Sequence, residues 1–86
     1  MEPKECYHCG RVGYTHRHHV FGGRFRQASE RWGCVVDLCP SCHRYIHSGN
    51  GVETKRQLQC DIQYLKMDEN EWTLRDWLLF FGRSWI

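Results

Sequence analysis

Two Cys-x-x-Cys pairs, Cys6/Cys9 and Cys39/Cys42, constrain this chain more than any other feature of its sequence. The tight turn within each pair can bring both sulfurs within tetrahedral reach of one zinc ion, and two pairs complete a four-cysteine structural site. Gly10, directly after the first pair, tolerates the backbone turn that a knuckle needs. A chain of 86 residues holds a single domain, 1–86, whose core only marginally offsets the entropy of ordering it. A metal or disulfide staple is therefore expected. A closed shell of four thiolates has no open position, so this zinc would stabilise the fold and perform no chemistry.

The alternatives for the same residues are free thiols or two disulfides, and the expected compartment weighs against disulfides. No apolar run is long enough to span a bilayer, and the opening MEPKECYHCG lacks the apolar stretch of a signal peptide. The chain is read as cytoplasmic, where paired cysteines mean metal sooner than disulfide. Hydrophobic residues make up 41% and charged residues 26%, a globular rather than a disordered balance. The net charge of +2 does not argue for nucleic acid by itself. Its distribution says more. Up to Gly51 there are seven Lys/Arg against four acids, and beyond it five against six. The basic half also carries all six histidines and five of the six cysteines.

The acidic half, 52–86, reads as two helices. Asn50-Gly51 makes a turn, Thr54 with Gln57 fits a capping box, and Leu58, Ile62 and Leu65 mark one apolar face up to about Met67. Asp68-Glu69-Asn70 is expected to break this helix. Thr73 with Asp76 caps a second, with Trp72 and Trp77 placed as a hydrophobic staple. Trp77, Leu78, Phe80 and Phe81 form its apolar stripe, read as core rather than as base-stacking residues, and Gly82 ends it. The basic half reads as a strand over Arg17–Phe21, a break at Gly22-Gly23, a second strand over Cys34–Leu38, and a helix begun by Pro40. Between the strands, GGRFRQASERWG is expected to be a loop. Cys60, near the apolar face of the first C-terminal helix, reads as a small buried residue.

The histidines form a second set. His43 and His47, four residues apart on a helix, share a face. A strand sends His18 and His19 to opposite faces, so one of them can join the helical pair while the other points elsewhere. Three imidazoles around a divalent ion leave open positions, the arrangement of a catalytic metal. His8, inside the first knuckle, and His16 are read as exposed residues outside both sets.

CYHCG, HRHHVFGG and VVDLCPSCHRYIH together resemble the HNH endonucleases of the ββα-metal superfamily, over about residues 6–47. The terminal FGRSWI is similar, more loosely, to the helical ends of small phage-borne members. The resemblance implies a small α+β fold: a zinc-stapled ββα-metal motif over 6–48, followed by a helical extension over 52–86. It implies His18, His43 and His47 as ligands of a catalytic Mg²⁺ or Mn²⁺, and His19 as general base. Ni²⁺ or Zn²⁺ also suit imidazole and could stand in. Cys6, Cys9, Cys39 and Cys42 would hold the structural zinc. Counting back from Cys39, the family's Asn position falls on Cys34, a poor substitute for an amide hydrogen bond.

Arg17, Arg24, Arg26, Arg31 and Arg44 lie on or beside the proposed ββα element, where guanidinium forks suit phosphate oxygens without reading sequence. The expected activity is metal-dependent DNA cleavage in a bacterial host cell, with a phage or host protein supplying any targeting. A non-catalytic zinc module that binds nucleic acid or a protein partner is the second expectation. A purely structural zinc scaffold is the third.

Overall fold

The computed structural model describes residues 2–86, a small α+β fold of four α-helices and two two-stranded sheets. Strands β1 (Lys4–Glu5) and β2 (Val12–Gly13) form a short antiparallel hairpin whose closed end is the first cysteine knuckle. Within it Cys6 N–H donates to Arg11 O at 2.8 Å and Gly10 N–H to Cys6 O at 2.9 Å. Gly10 sits at φ +77°, a left-handed conformation that a side chain would strain.

The second hairpin pairs β3 (His16–His19) with β4 (Val35–Leu38), in the register His16↔Leu38 to His19↔Val35. Tyr7 N–H donates to Asp37 O at 2.8 Å, which docks the knuckle onto β4. The chain then enters α2 (Pro40–His47), with Cys39 as N-cap and Pro40 at the first helical position. Both strands overlap the expected segments, but β3 runs His16–His19 rather than Arg17–Phe21, so it takes in His16 and stops short of Val20, and β4 begins at Val35 rather than Cys34.

The connection between the strands is not a loop throughout. After a 3-10 turn over Gly23–Phe25, residues Arg26–Trp32 form α1, closed by Gly33 at φ +70°. Arg, Gln, Ala and Glu are good helix formers, and the glycine supplies the left-handed stop. α1 is anchored by Ser29, which is fully buried: its hydroxyl donates to Phe21 O at 2.7 Å and accepts from Phe21 N–H at 3.2 Å.

The C-terminal half packs over the apolar side of this unit through α3 (Val52–Asn70) and α4 (Leu74–Phe81). α3 starts directly after a 3-10 turn over Gly49–Gly51, so Thr54 and Gln57 lie inside the helix instead of capping it. Gly51 decides that start. A Cβ there would stand 2.0 Å from Tyr45 O, so only glycine lets the end of α2 and the start of α3 come so close. α3 also runs through Asp68-Glu69-Asn70, polar residues of ordinary helix propensity, and ends at Glu71 in the left-handed region, whose N–H donates to Asp68 O at 3.2 Å. Leu58 and Ile62 are buried, but Leu65 is exposed; the buried partner further along is Gln63.

The Thr73–Asp76 capping box is present, and Gly82 closes α4 in the left-handed region. Trp72 turns to Phe80 and Trp32 rather than stapling Trp77. Trp77 stacks on Phe81 at 3.9 Å between ring centres and packs edge-on to Phe21. Leu78 and Phe80 remain exposed, so the buried stripe of α4 is narrower than its sequence suggests. The tail folds back: Gln63 accepts from Trp85 N–H at 2.7 Å and donates to Ser84 Oγ at 3.0 Å, and the Trp85 ring lies 4.3 Å from that of Phe21. Cys60 is half-buried. Among the described residues, no helix is long and apolar enough to cross a membrane.

Candidate metal centres

The knuckle of the first hairpin and the first turn of α2 bring Cys6, Cys9, Cys39 and Cys42 together, with all four sulfurs within 4.8 Å of one another. All four are free thiols, and Cys9 Sγ lies 3.8 Å from Cys39 Sγ. This cluster could hold a structural metal ion such as zinc. Its electrostatics suit thiolate. Burial alone would raise the Cys6 thiol, but backbone N–H groups of Cys39, Cys9 and His8 aimed at its sulfur bring it down to about 6. Burial and the neighbouring sulfurs push Cys42 upward: with no cation among them, four thiols this close cannot all ionise. A divalent ion removes that conflict. His8 is exposed as expected, with Nδ1 3.6 Å from Cys42 Sγ.

α2 carries a second cluster on its next turns. His43 and His47 present their Nε2 atoms 3.1 Å apart, and the ring of His18 on β3 lies 5.3 Å from each of theirs. One nitrogen from each of the three lies within 4.8 Å of the others, and no carboxylate joins the group among the described residues. His18 is only 4% exposed, and its Nε2 has no hydrogen-bond partner. A buried polar atom without a partner costs free energy, about 1–3 kcal/mol by mutational measures. The three imidazoles could hold a divalent ion, which would supply the partner this nitrogen lacks. Burial, then the proximity of His43 and His47, lowers the His18 pKa from the ordinary 6.5 to about 4. The imidazole is therefore neutral at pH 7 and ready to ligate. Burial, with His47 and His16 nearby, lowers His43 as well.

Strand alternation sorts the rest of β3. His18 faces α2, and so does His16, whose Nδ1 lies 2.9 Å from His43 Nδ1. The expectation of an exposed, unengaged His16 is therefore wrong. Reading the strand one residue longer places His16 two positions before His18, on the same face. Arg17 and His19 share the opposite face, where both meet Glu30 of α1. His19 Nε2–H donates to Glu30 Oε1 at 2.6 Å, and the Arg17 guanidinium grips the same carboxylate as a fork, one arm at 2.9 Å. The Arg17 and His19 hydrogen bonds hold the Glu30 carboxyl below its ordinary range, so it is an acceptor only. The proton of neutral His19 is consequently on Nε2, leaving the Nδ1 lone pair free. Glu30 lies in the segment expected to be a loop, and no pattern in the sequence marks it.

No family model, curated protein or solved structure matches this chain.

Arg24, Arg26, Arg31 and Arg44 are exposed and form no ion pair among the described residues; Arg24 and Arg31 lie over the rings of Phe25 and Trp32. Arg17 differs, since Glu30 already occupies its fork. Cys34, at the position where an Asn would be expected, is fully buried, and burial raises its thiol to about 11. It ties the hairpin through its backbone alone: its N–H donates to Ser29 O at 2.8 Å, and its carbonyl accepts from Val20 N–H at 3.0 Å. The side-chain tie across this loop comes from Ser29 to Phe21. A surface groove of about 550 Å³ runs along Glu5, Cys6, Tyr7, Asp37, Leu65 and Lys66, and no histidine lines it.

Proposed function

We propose that this chain is a metal-dependent DNA endonuclease of the HNH type, with Cys6, Cys9, Cys39 and Cys42 on a structural zinc and His18, His43 and His47 on an exchangeable divalent ion. The observation that carries this reading is the unpartnered, buried Nε2 of His18 held against two helical imidazoles, beside a neighbour on the same strand set up as a base. A divalent ion held there supplies Lewis-acid stabilisation of the charge that develops on a phosphodiester.

The chain's own residues supply the rest. His19 Nδ1 takes the proton of the attacking water, while Glu30 accepts from Nε2–H, orients the ring and stabilises the imidazolium that results. Arg17 fixes the Glu30 carboxylate in turn. Water oxygen bonds to phosphorus as the P–O3′ bond breaks, and the 3′ oxygen takes a proton from solvent, giving a 5′ phosphate and a 3′ hydroxyl. Arg24, Arg26, Arg31 and Arg44 engage backbone phosphates without reading sequence, so targeting falls to a phage or host partner. Three imidazoles without a carboxylate suit Mn²⁺ better than Mg²⁺.

The second reading is a non-catalytic zinc module that binds nucleic acid or protein, and Cys34 favours it because a buried thiol cannot replace an amide. Supercoiled plasmid incubated with the protein in Mn²⁺, Mg²⁺ or EDTA, beside His19→Ala, separates the two. Nicking that needs metal and disappears in the variant supports the nuclease. Retained DNA binding with no nicking in either metal establishes the module instead.

A further inference from the structure

His16 belongs to neither ligand set, yet its ring is in contact with two neighbours. Its ring packs edge-on between Tyr14, 5.3 Å away at 87°, and His43, 5.1 Å away at 78°. The contact with His43 joins two Nδ1 atoms at 2.9 Å. Two bare ring nitrogens at that distance repel, so one of them carries the proton and donates it to the other.

Which one donates follows from the other end of His43. Its Nε2 faces His47 Nε2 at 3.1 Å, within the cluster that gathers around His18. To offer a lone pair there, neutral His43 must keep its proton on Nδ1. Nδ1–H then donates to His16 Nδ1, and His16 carries its own proton on Nε2. With that lone pair committed to His43, His16 is not a fourth ligand. A hydrogen bond to the far nitrogen of a ligating imidazole fixes tautomer and ring orientation and makes the ligating nitrogen more basic.

We propose that His16 is a positioning residue for the imidazole metal site: by accepting from His43 Nδ1–H, it locks His43 in the tautomer and orientation that present Nε2 to the ion. This rests on the reading that His18, His43 and His47 hold a divalent metal. β3 thus contributes a ligand and that ligand set's orienter at positions two apart, with the base on its other face.

Mn²⁺ titration of the zinc-loaded full chain, with free Mn²⁺ counted by electron paramagnetic resonance, tests this without reference to activity. The variants are His16→Ala, His16→Asn and His18→Ala, each checked for knuckle zinc. His16→Ala should weaken Mn²⁺ binding roughly 10- to 100-fold, the usual effect of removing such a partner. The amide oxygen of asparagine can stand where Nδ1 stood, so His16→Asn should stay within about threefold of the parent, far short of the loss of a tenfold or larger orienting effect. Binding by His16→Ala equal to the parent overturns the proposal, and so does a His16→Asn variant as weak as the alanine. His18→Ala should lose saturable binding. Were it to bind like the parent, the three-histidine reading itself would fail, an outcome distinct from failure at His16 alone.

Discussion

α2 and its N-cap contribute residues to two clusters within the nine residues from Cys39 to His47, and the clusters are built on opposite plans. The cysteines come as two local turns, two of the four are buried, and backbone N–H groups converge on Cys6. The histidines come one from a strand and two from a helix, and they grade from buried His18 to exposed His47. The first arrangement is closed on itself and joins the N-terminal hairpin to the rest of the chain. The second leaves a solvent side, and the elements around it are packed by Val36, Leu38 and Ile46. A metal in the first would act on the fold, whereas a metal in the second would act on a ligand.

The largest expected effect tests the first half of that contrast. Structural zinc contributes about 10–16 kcal/mol in small domains, comparable to or larger than their whole stability of about 5–15 kcal/mol. Cys39→Ser should therefore lose zinc and cooperative unfolding together, as measured by metal content and a circular-dichroism melt. Retention of a cooperative melt without zinc would show that the thiolate cluster is not the staple. His18→Ala tests the other half. It should keep its zinc and a cooperative metal-free melt while losing both nicking and the rise in melting temperature that saturating Mn²⁺ gives the parent. Collapse of the fold in this variant would erase the distinction between the clusters.

How far each cluster is legible in the sequence follows from the same difference. A Cys-x-x-Cys knuckle is a local object, and its spacing alone dictates the geometry of Cys6/Cys9 and Cys39/Cys42. His43 and His47 are legible through the helical period, and His18 against His19 through strand alternation. His16 is missed only because β3 is started at Arg17; one more residue puts it on the His18 face. Glu30 is not legible at all. Its place beside His19 depends on α1 folding back onto the hairpin, a tertiary contact held by Ser29 with no local pattern to announce it. The start of α3 fails for a similar reason, since Gly51 is set by its approach to Tyr45 and not by a capping box. The proposed nuclease chemistry stands on a resemblance and on the geometry of the imidazole cluster.

Smaller than the loss of a ligand is the loss of the base. His19→Ala should lower the plasmid-nicking rate by about 10²–10⁴-fold, the usual contribution of a positioned general base, with Mn²⁺ affinity unchanged. That split assigns His19 to the proton and His18 to the metal. If affinity fell in step with rate, both would belong to the ligand set.

The smallest effect is the pH dependence of stability at the imidazole cluster. His18 is held at about 4 in the folded metal-free chain against an ordinary 6.5, by burial first and then by His43, His47, Lys55 and His19. Between those values the unfolded chain binds a proton that the folded chain refuses, so acidification favours unfolding. The contribution is fully present above pH 6.5 and is lost as the pH falls through that window toward about 4. Protonation of the cysteine cluster also weakens the fold in acid, so the parent curve alone does not isolate His18. The difference between parent and His18→Ala does, because the thiolates are common to both. Urea midpoints of the metal-free imidazole site should fall more steeply with acid in the parent than in the variant, and parallel curves would remove the case for a neutral buried ligand. Adding Mn²⁺ should steepen the parent alone, since an ion bound to His18 excludes its proton from the folded state at still lower pH. The cysteine cluster, shared by both proteins, serves as the internal control.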